Sequence, residues 1–150
     1  QTEHEWKLAW LHAMHTMKVR LMRKTAGGLT YVSEEEDGSL THKMDHLACF
    51  VGGMLMYASR QLPAHERDPG WEQDAVAITD TCYQMYQRFP SRLAPDAVQF
   101  DPTAPHPTDM HVWGTSYDNI LRPETAESIF YLFYYTGDPK YRRMAGQIFE

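Results

Sequence analysis

The stretch Leu121-Arg122-Pro123-Glu124-Thr125-Ala126-Glu127-Ser128-Ile129-Phe130-Tyr131-Leu132-Phe133 decides how the chain is organised. It predicts a helix start, because Pro123 suits the first helical position, where a missing N–H costs nothing. Glu124 and Glu127 are three residues apart and share one helix face, with Arg122 beside them. These groups can form an acid/base site at the N-terminus of the helix. The alternative is that the two acidic residues only stabilise the helix N-terminus.

Composition and charge limit the partners of the chain. Of its 150 residues, 43% are hydrophobic, which is ordinary for a globular protein. The aromatic fraction of 13% is high and fits either a dense core or a sugar-stacking cleft. The net charge of −6 argues against a nucleic-acid partner, since phosphate binding requires a basic surface. No apolar run reaches the roughly 20 residues that span a bilayer. The chain starts without Met and stops inside a predicted helix, so we expect part of a longer protein, with any membrane anchor outside it.

The N-terminal part predicts a helix, a hairpin and a second helix. Apolar side chains recur every three or four positions over residues 3–24, and Gly27-Gly28 is the expected end of that helix. Residues 29–32 predict a strand, and Asp37-Gly38 predicts a hairpin turn. Residues 44–62 predict the second helix. The expected buried faces are Trp6, Trp10, Met14, Met17 and Leu21 in the first helix, and Leu47, Phe50, Val51, Met54, Leu55 and Ala58 in the second.

A third helix and a long loop follow. Asp68-Pro69 predicts the helix start, with Asp68 as N-cap, and Pro90 ends the helix. Residues 90–121 form a loop of a length that is usually functional in a compact domain. Short strands are expected at 98–100 and 112–113.

The last part predicts two helices and completes a mainly α pattern. The helix after Arg122 ends near Thr136, with Gly137 as its stop, and Asp138-Pro139 caps the next one. Gly52-Gly53 inside the second helix predicts close packing against a neighbour. Paired helices that reverse direction, with loops on one rim, suit an (α/α) toroid.

Two patterns could be taken for metal sites. His42 and His46 are four residues apart, which would place both on one helix face. A zinc site needs a third ligand and usually a Glu after the first His, where this chain has Lys43. The acidic turn Glu34-Glu35-Glu36-Asp37-Gly38 lacks the alternating oxygen ligands of a calcium loop. We expect neither pattern to bind a metal.

Three motifs together resemble one enzyme family. They are residues 121–142, Lys43-Met44-Asp45-His46-Leu47-Ala48-Cys49-Phe50, and Thr81-Cys82-Tyr83-Gln84-Met85. In this order they resemble glycoside hydrolase family 47, the class I α-1,2-mannosidases, whose catalytic domain is an (α/α) barrel of helix pairs. The resemblance implies that residues 1–150 are an internal part of one such domain, incomplete at both ends. It implies an arc of the barrel with short hairpins and long rim loops.

The resemblance assigns catalytic roles to two carboxylates. Glu124 matches the general base of a family that inverts configuration, a reaction that uses one protonated and one ionised carboxyl around the glycosidic bond. Leu93-Ala94-Pro95-Asp96 matches a motif that normally ends in a catalytic Glu. Asp96 keeps the charge on a side chain that is one methylene shorter. Read alone, Pro-Asp is a turn former.

The resemblance also implies a sugar cleft and a bound Ca²⁺. His46 lines the cleft, Asp45 orients it, and Arg122 holds sugar hydroxyls and carboxylates. Glu124 and Glu127 would reach the Ca²⁺ through water, because the direct ligand is a Thr expected outside this chain. Without the resemblance, Asp45 and His46 are an ordinary helix start. Since other catalytic residues are also expected outside, the isolated piece should be inactive.

The two cysteines bear on the cellular compartment. Cys49 and Cys82 alone fit free buried thiols or a bridge. Their positions in the family motifs imply a disulfide, and therefore an oxidising compartment of the secretory pathway. The resemblance implies the lumen of the endoplasmic reticulum or Golgi, or secretion, and high-mannose N-glycans as the partner.

Two functions compete with a mannosidase. A lectin-like relative of the same fold binds mannose glycans on misfolded glycoproteins for degradation, but such relatives usually lack the motif around His46 and Cys49 that this chain has. A structural helical-repeat scaffold would show evenly repeated helix pairs, and the sequence has no exact repeat. We therefore favour the enzyme.

Overall fold

Helices make up most of the regular structure. A computed structural model describes residues 2–150, which form five α-helices and seven short strands. The helices are α1 (Glu3–Arg20), α2 (Phe50–Gln61), α3 (Trp71–Gln87), α4 (Glu124–Thr136) and α5 (Pro139–Phe149), and a 3₁₀ helix (His46–Cys49) precedes α2. The strands are β1 (Met22–Lys24), β2 (Thr30–Val32), β3 (Glu34–Glu36), β4 (Ser39–Thr41), β5 (Lys43–Asp45), β6 (Ala97–Phe100) and β7 (Met110–Val112). The predicted mainly helical class is confirmed. Within these residues, no helix has the length and apolar character that crossing a membrane requires.

Helix α1 is shorter than predicted. A capping box between Thr2 and Glu5 starts it, but the helix ends at Arg20. Met22–Lys24 instead forms β1 and pairs antiparallel with β2. Gly28, at φ +101°, lies in the turn that joins the two strands. The predicted continuation of the helix over residues 21–24, with Gly27-Gly28 as its end, is wrong, because the backbone groups after Leu21 find their partners in β2 rather than within the helix.

Helix α1 lies on the surface of the fold. None of its residues is buried, and Trp6 is 62% exposed, so the predicted buried stripe is wrong at Trp6. Trp10 does contact the body of the protein. Its ring lies 5.4 Å from that of buried Trp71 in an edge-to-face arrangement. Met14 and Met17 pack against the core from partly buried positions.

The predicted helix over residues 44–62 divides into three elements. Lys43–Asp45 is strand β5, His46–Cys49 is a 3₁₀ helix, and α2 begins only at Phe50. The cause is a long-range pairing, since β5 bonds to β6 more than fifty residues later along the chain. Leu47 and Phe50 are exposed, so their expected place on the buried face is wrong.

Helices α2 and α3 pack closely and antiparallel. A disulfide joins Cys49 to Cys82, with the Cα atoms 5.9 Å apart, as the family resemblance implies. A Cβ at Gly52 would clash with the hydroxyl of Thr79, which confirms the predicted close packing. The N-cap of α3 is Gly70 rather than the predicted Asp68, whose carboxylate accepts from the Gly70 N–H at 2.7 Å.

Helix α4 runs parallel to α2 and leads into α5. Near the N-terminal ends of the two helices, the Gly53 N–H donates to the hydroxyl of Ser128 at 2.7 Å. Near their C-terminal ends, the Gln61 amide donates to the hydroxyl of Tyr135 at 3.1 Å. The N-termini of α2 and α4 therefore lie at the same end of the helix layer. Gly137, at φ +68°, ends α4, and Asp138 caps α5, both as predicted.

A three-stranded antiparallel sheet, in the order β5-β6-β7, lies beside that end. Strand β6 covers the predicted strand at 98–100, whereas β7 ends at Val112, so the predicted strand at 112–113 is confirmed only at Val112. The predicted Asp37-Gly38 hairpin joins β3 to β4. Met44 lies opposite Val98, and both are buried. Since neighbouring residues along a strand point to opposite faces, the residues that flank Met44 point away from the core.

Candidate active site

His46 occupies the centre of the candidate site. It is 2% exposed, and its Nε2 lies 2.8 Å from the hydroxyl of Thr125 and 3.2 Å from that of Tyr86. Its backbone N–H donates to the carbonyl of Asp96 at 2.8 Å. The 3₁₀ helix, α3, α4 and the long loop therefore meet at one imidazole.

Burial sets the charge of this centre. It lowers the pKa of His46, because the cationic form loses its hydration, and this effect outweighs the nearby charge of Glu124, which acts in the opposite direction. Burial also raises the pKa of Tyr86. A neutral imidazole and two neutral hydroxyls thus share a hydrogen-bonding triangle at neutral pH.

A charged pair forms the mouth of the site. The Nε of Arg122 donates to Oδ1 of Asp96 at 2.7 Å, and this hydrogen bond raises the pKa of Arg122. Both side chains are partly exposed.

The side-chain amide of Asn119 joins the two parts of the loop that carry this pair. It donates to the carbonyl of Ala94 at 2.8 Å and accepts from the Leu121 N–H.

Glu124 begins α4 directly after this pair. One of its carboxylate oxygens, Oε2, is buried and has no hydrogen-bond partner among the described residues. A buried carboxylate oxygen normally has a partner, so an unpaired one indicates a place for water or a ligand. Its negative charge acts on His46, Arg122 and Tyr86, which places it within the same cluster.

Asp45 and Glu127 lie at the edge of the cluster. Asp45 pairs with Lys43 at 2.8 Å and contributes to the electrostatic environment of Arg122. Glu127 lies on the exposed surface of α4, one turn after Glu124. The structure thus brings Asp45, His46, Asp96, Arg122 and Glu124 together, with Glu127 next to them on the same helix.

Comparison with known proteins places the chain in a family. The family model of glycosyl hydrolase family 47 matches residues 1–150. The chain belongs to glycosyl hydrolase family 47. It is 40% identical, over 95% of its length, to mannosyl-oligosaccharide alpha-1,2-mannosidase IA of Drosophila melanogaster. It is 37% identical, over 94% of its length, to the endoplasmic reticulum mannosyl-oligosaccharide 1,2-alpha-mannosidase of Rattus norvegicus.

A solved structure has the same fold. The alpha-1,2-mannosidase from Trichoderma reesei superposes with a TM-score of 0.82 and 22% identity, over 95% of this chain and 31% of that chain. The family 47 chain spans about a fifth of the length of the curated relatives it matches, 21% of the Drosophila protein and 21% of the rat protein.

Two site residues of this family 47 chain were not predicted from the sequence. Thr125 is fully buried between the two glutamates of the α4 motif, and Tyr86 is buried near the C-terminal end of α3. A buried Thr in the first turn of a helix is a weak signal, and a Tyr among core residues gives none. Only the folded chain shows that both hydroxyls reach His46.

The predicted common helix face for His42 and His46 is wrong. His42 lies between β4 and β5 and His46 begins the 3₁₀ helix, so strand β5 separates the two imidazoles. The Nδ1 of His42 is 2.8 Å from the hydroxyl of Tyr31, whereas His46 contacts Thr125. Among residues 2–150, no group of three or more His, Cys, Asp or Glu side chains could hold a metal ion.

Proposed function

We propose that this chain is part of a mannosyl-oligosaccharide 1,2-α-mannosidase that removes α-1,2-linked mannose from high-mannose N-glycans. The names of the family 47 relatives support this activity. The observation that carries the proposal is the unpaired, buried Oε2 of Glu124 beside His46 and Arg122.

Glu124 is the general base in this proposal. Its carboxylate accepts a proton from the water that attacks the anomeric carbon, while a carboxylic acid outside this chain protonates the leaving oxygen. The glycosidic C–O bond breaks as the new C–O bond forms on the opposite face of the sugar, so configuration inverts. Asp96, held by Arg122, keeps a second negative charge at the mouth, where sugar hydroxyls can donate to it.

His46 and Arg122 position the sugar. The neutral imidazole is fixed at Nε2 by two hydroxyl groups, so its ring orientation is set before substrate arrives. The remaining Arg122 N–H groups are donors for sugar hydroxyls. Asp45 and Glu127 extend the polar edge on either side.

A Ca²⁺ ion is the cofactor that we propose for the complete enzyme. The described residues fit an indirect role, because the free carboxylate oxygen of Glu124 can accept from a metal-bound water and Glu127 lies one turn away. The direct ligands would come from outside the chain, since residues 2–150 contain no cluster of three potential ligands. When bound, the ion would hold sugar hydroxyls through its positive charge.

The proposal extends to the fold and the cellular compartment of the complete protein. Antiparallel pairing of α2 with α3 and the following pair α4 and α5 support an arc of an (α/α) ring of helix pairs. The Cys49–Cys82 disulfide and the name of the rat relative support the secretory lumen, in the endoplasmic reticulum or the Golgi. The isolated 150 residues are inactive in this proposal, because the acid and the metal ligand lie outside them.

The test is hydrolysis of α-1,2-linked mannobiose by the full-length protein that carries this chain. Release of mannose as the β anomer supports an inverting mannosidase. Tight binding of high-mannose oligosaccharide without release of mannose would instead identify the lectin-like alternative.

A further inference from the structure

A second groove lies on the β5-β6-β7 sheet, away from Glu124. It has a volume of about 450 Å³, and its lining includes His42, Gln99, Asp101, His111 and Trp113. None of these residues belongs to the candidate active site. The strands that form the groove nevertheless also carry active-site residues, since Asp45 ends β5 and Asp96 directly precedes β6.

Strand register places the polar residues of the groove on one face. Lys43, Gln99 and His111 lie opposite one another in a single row across the three strands. Directly paired residues project from the same side of a sheet. Trp113 continues this side, because it lies two residues beyond His111 and its backbone N–H donates to the carbonyl of Ala97 at 3.0 Å. The opposite side carries buried Met44 and Val98.

The hydrogen bonds on this face leave defined groups free. His111 Nε2 and Gln99 Oε1 are 3.1 Å apart, so the imidazole donates to the amide oxygen. This bond leaves the Gln99 NH₂ as a donor and His111 Nδ1 as an acceptor for an incoming ligand. Trp113 adds a partly exposed aromatic surface beside them.

Asp101 and His42 at the rim each have one hydrogen-bonding atom already engaged. Oδ1 of Asp101 accepts from the Thr103 hydroxyl at 2.7 Å, and His42 Nδ1 lies 2.8 Å from the hydroxyl of Tyr31. Lys43 pairs with Glu34 and Asp45. The face therefore offers amide and imidazole groups next to an aromatic ring, with the carboxylate of Asp101 at its edge. Such a set suits a polyhydroxylated ligand, whose hydroxyls both donate and accept hydrogen bonds, and the negative charge of Asp101 disfavours an anion.

The distance between the groove and the active site indicates which sugar unit of the ligand the groove would bind. Gln99 follows Asp96 by three residues, which corresponds to about 10 Å along an extended strand. Asp45, whose charge acts on Arg122, lies on the same side of β5 as Lys43, the residue opposite Gln99, so the groove and the active-site mouth share one side of the sheet. This separation corresponds to a neighbouring unit of the oligosaccharide rather than to the sugar at Glu124.

We propose that Gln99, His111 and Trp113 bind a mannose unit of the oligosaccharide beyond the bond that is cleaved, and thereby favour long substrates over the disaccharide. This inference rests on the proposed mannosidase function. Contacts to a remote part of a substrate act on kcat/KM for substrates that have that part, and not on substrates that lack it.

The experiment compares two substrates in the full-length protein. For Trp113→Ala and Gln99→Ala, we expect kcat/KM for a high-mannose oligosaccharide to fall about 3- to 10-fold. The fall should come from a higher KM, because each variant loses one or two contacts to the substrate. We expect kcat/KM for α-1,2-mannobiose to stay within about twofold of the unchanged protein. His65→Ala is the matched control, because its side chain is 80% exposed and outside the groove, and it should change neither value.

Three outcomes would overturn the proposal. One is an equal fall for both substrates, and another is no fall for either. If the unchanged protein hydrolyses neither substrate, the mannosidase function fails, and calorimetric binding of the same oligosaccharide decides the groove separately. Weaker binding by Trp113→Ala than by His65→Ala would then support the groove. Equal binding by the two variants would be the third outcome that overturns it.

Discussion

The Nε of Arg122 lies 2.7 Å from Oδ1 of Asp96, and this contact joins two residues that are 26 positions apart. Arg122 precedes helix α4, while Asp96 precedes strand β6. Glu124 follows in the first turn of α4, and the backbone of Asp96 accepts from His46. One charged pair therefore connects the sheet to the helix on which the proposed base is located.

Removal of the charge on Asp96 tests this connection. We expect Asp96→Asn to change the thermal melting temperature little, because a partly exposed ion pair is worth about 0–1 kcal/mol. We expect kcat/KM on mannobiose to fall about 10-fold or more, since Arg122 loses its anionic partner at the site mouth. Steady-state kinetics and a melt on one sample measure both. Glu34→Gln, which removes a surface partner of Lys43, is the control. A large melting shift with normal kinetics would show that the pair only supports the fold.

The Thr125 hydroxyl gives a second prediction. Thr125→Val keeps the shape of the fully buried side chain but removes the oxygen that lies 2.8 Å from His46 Nε2. We expect a loss of about 1 kcal/mol in the free energy of unfolding, because the buried Nε2 keeps only its longer contact, to Tyr86 at 3.2 Å. Thr125→Ser keeps the hydroxyl and should recover most of the loss. Denaturant unfolding of the three proteins measures it, and equal stability of the Val and Ser variants would contradict the assigned contact.

His46 makes stability depend on pH. Burial lowers its pKa in the folded state below the ordinary value of about 6.5 that the unfolded chain keeps. As pH falls through that value, the unfolded state binds a proton that the folded state does not, so stability decreases. We expect His46→Gln to show a weaker decrease in melting temperature between about pH 7 and pH 5 than the unchanged protein. Parallel slopes for the two proteins would show that another group causes the acid sensitivity.

Local signals in the sequence predicted the ends of several elements correctly. Gly137 ends α4 in the left-handed conformation, and Asp138 caps α5. Asp37-Gly38 turns the β3–β4 hairpin. Each signal acts within a few residues, so the chain around it is enough to reveal it.

Signals that depend on distant partners were missed. Met44 and Asp45 are predicted to lie in a helix but belong to strand β5, because the pairing with Ala97–Phe100 acts across more than fifty residues and leaves no local signal around Met44. The same limit applies to the site. Family motifs indicated His46 and Glu124, whereas the hydroxyls of Thr125 and Tyr86 meet the imidazole only through the packing of α3 and α4 against the 3₁₀ helix.

The most direct test of the account concerns Glu124. In the full-length protein, Glu124→Gln should leave the melting temperature nearly unchanged, because Gln keeps the shape of the side chain at the start of α4. Turnover of α-1,2-mannobiose should fall about 10²- to 10⁴-fold, since an amide cannot take a proton from the attacking water. Glu127→Gln, one turn further along the helix, is the matched control and should lose less activity. The measurement is kcat on mannobiose beside a thermal melt of the same sample. A 10²-fold or greater loss of kcat with an unchanged melt is the predicted result, and a lowered melt with unchanged kcat would contradict the assignment of Glu124 as the base.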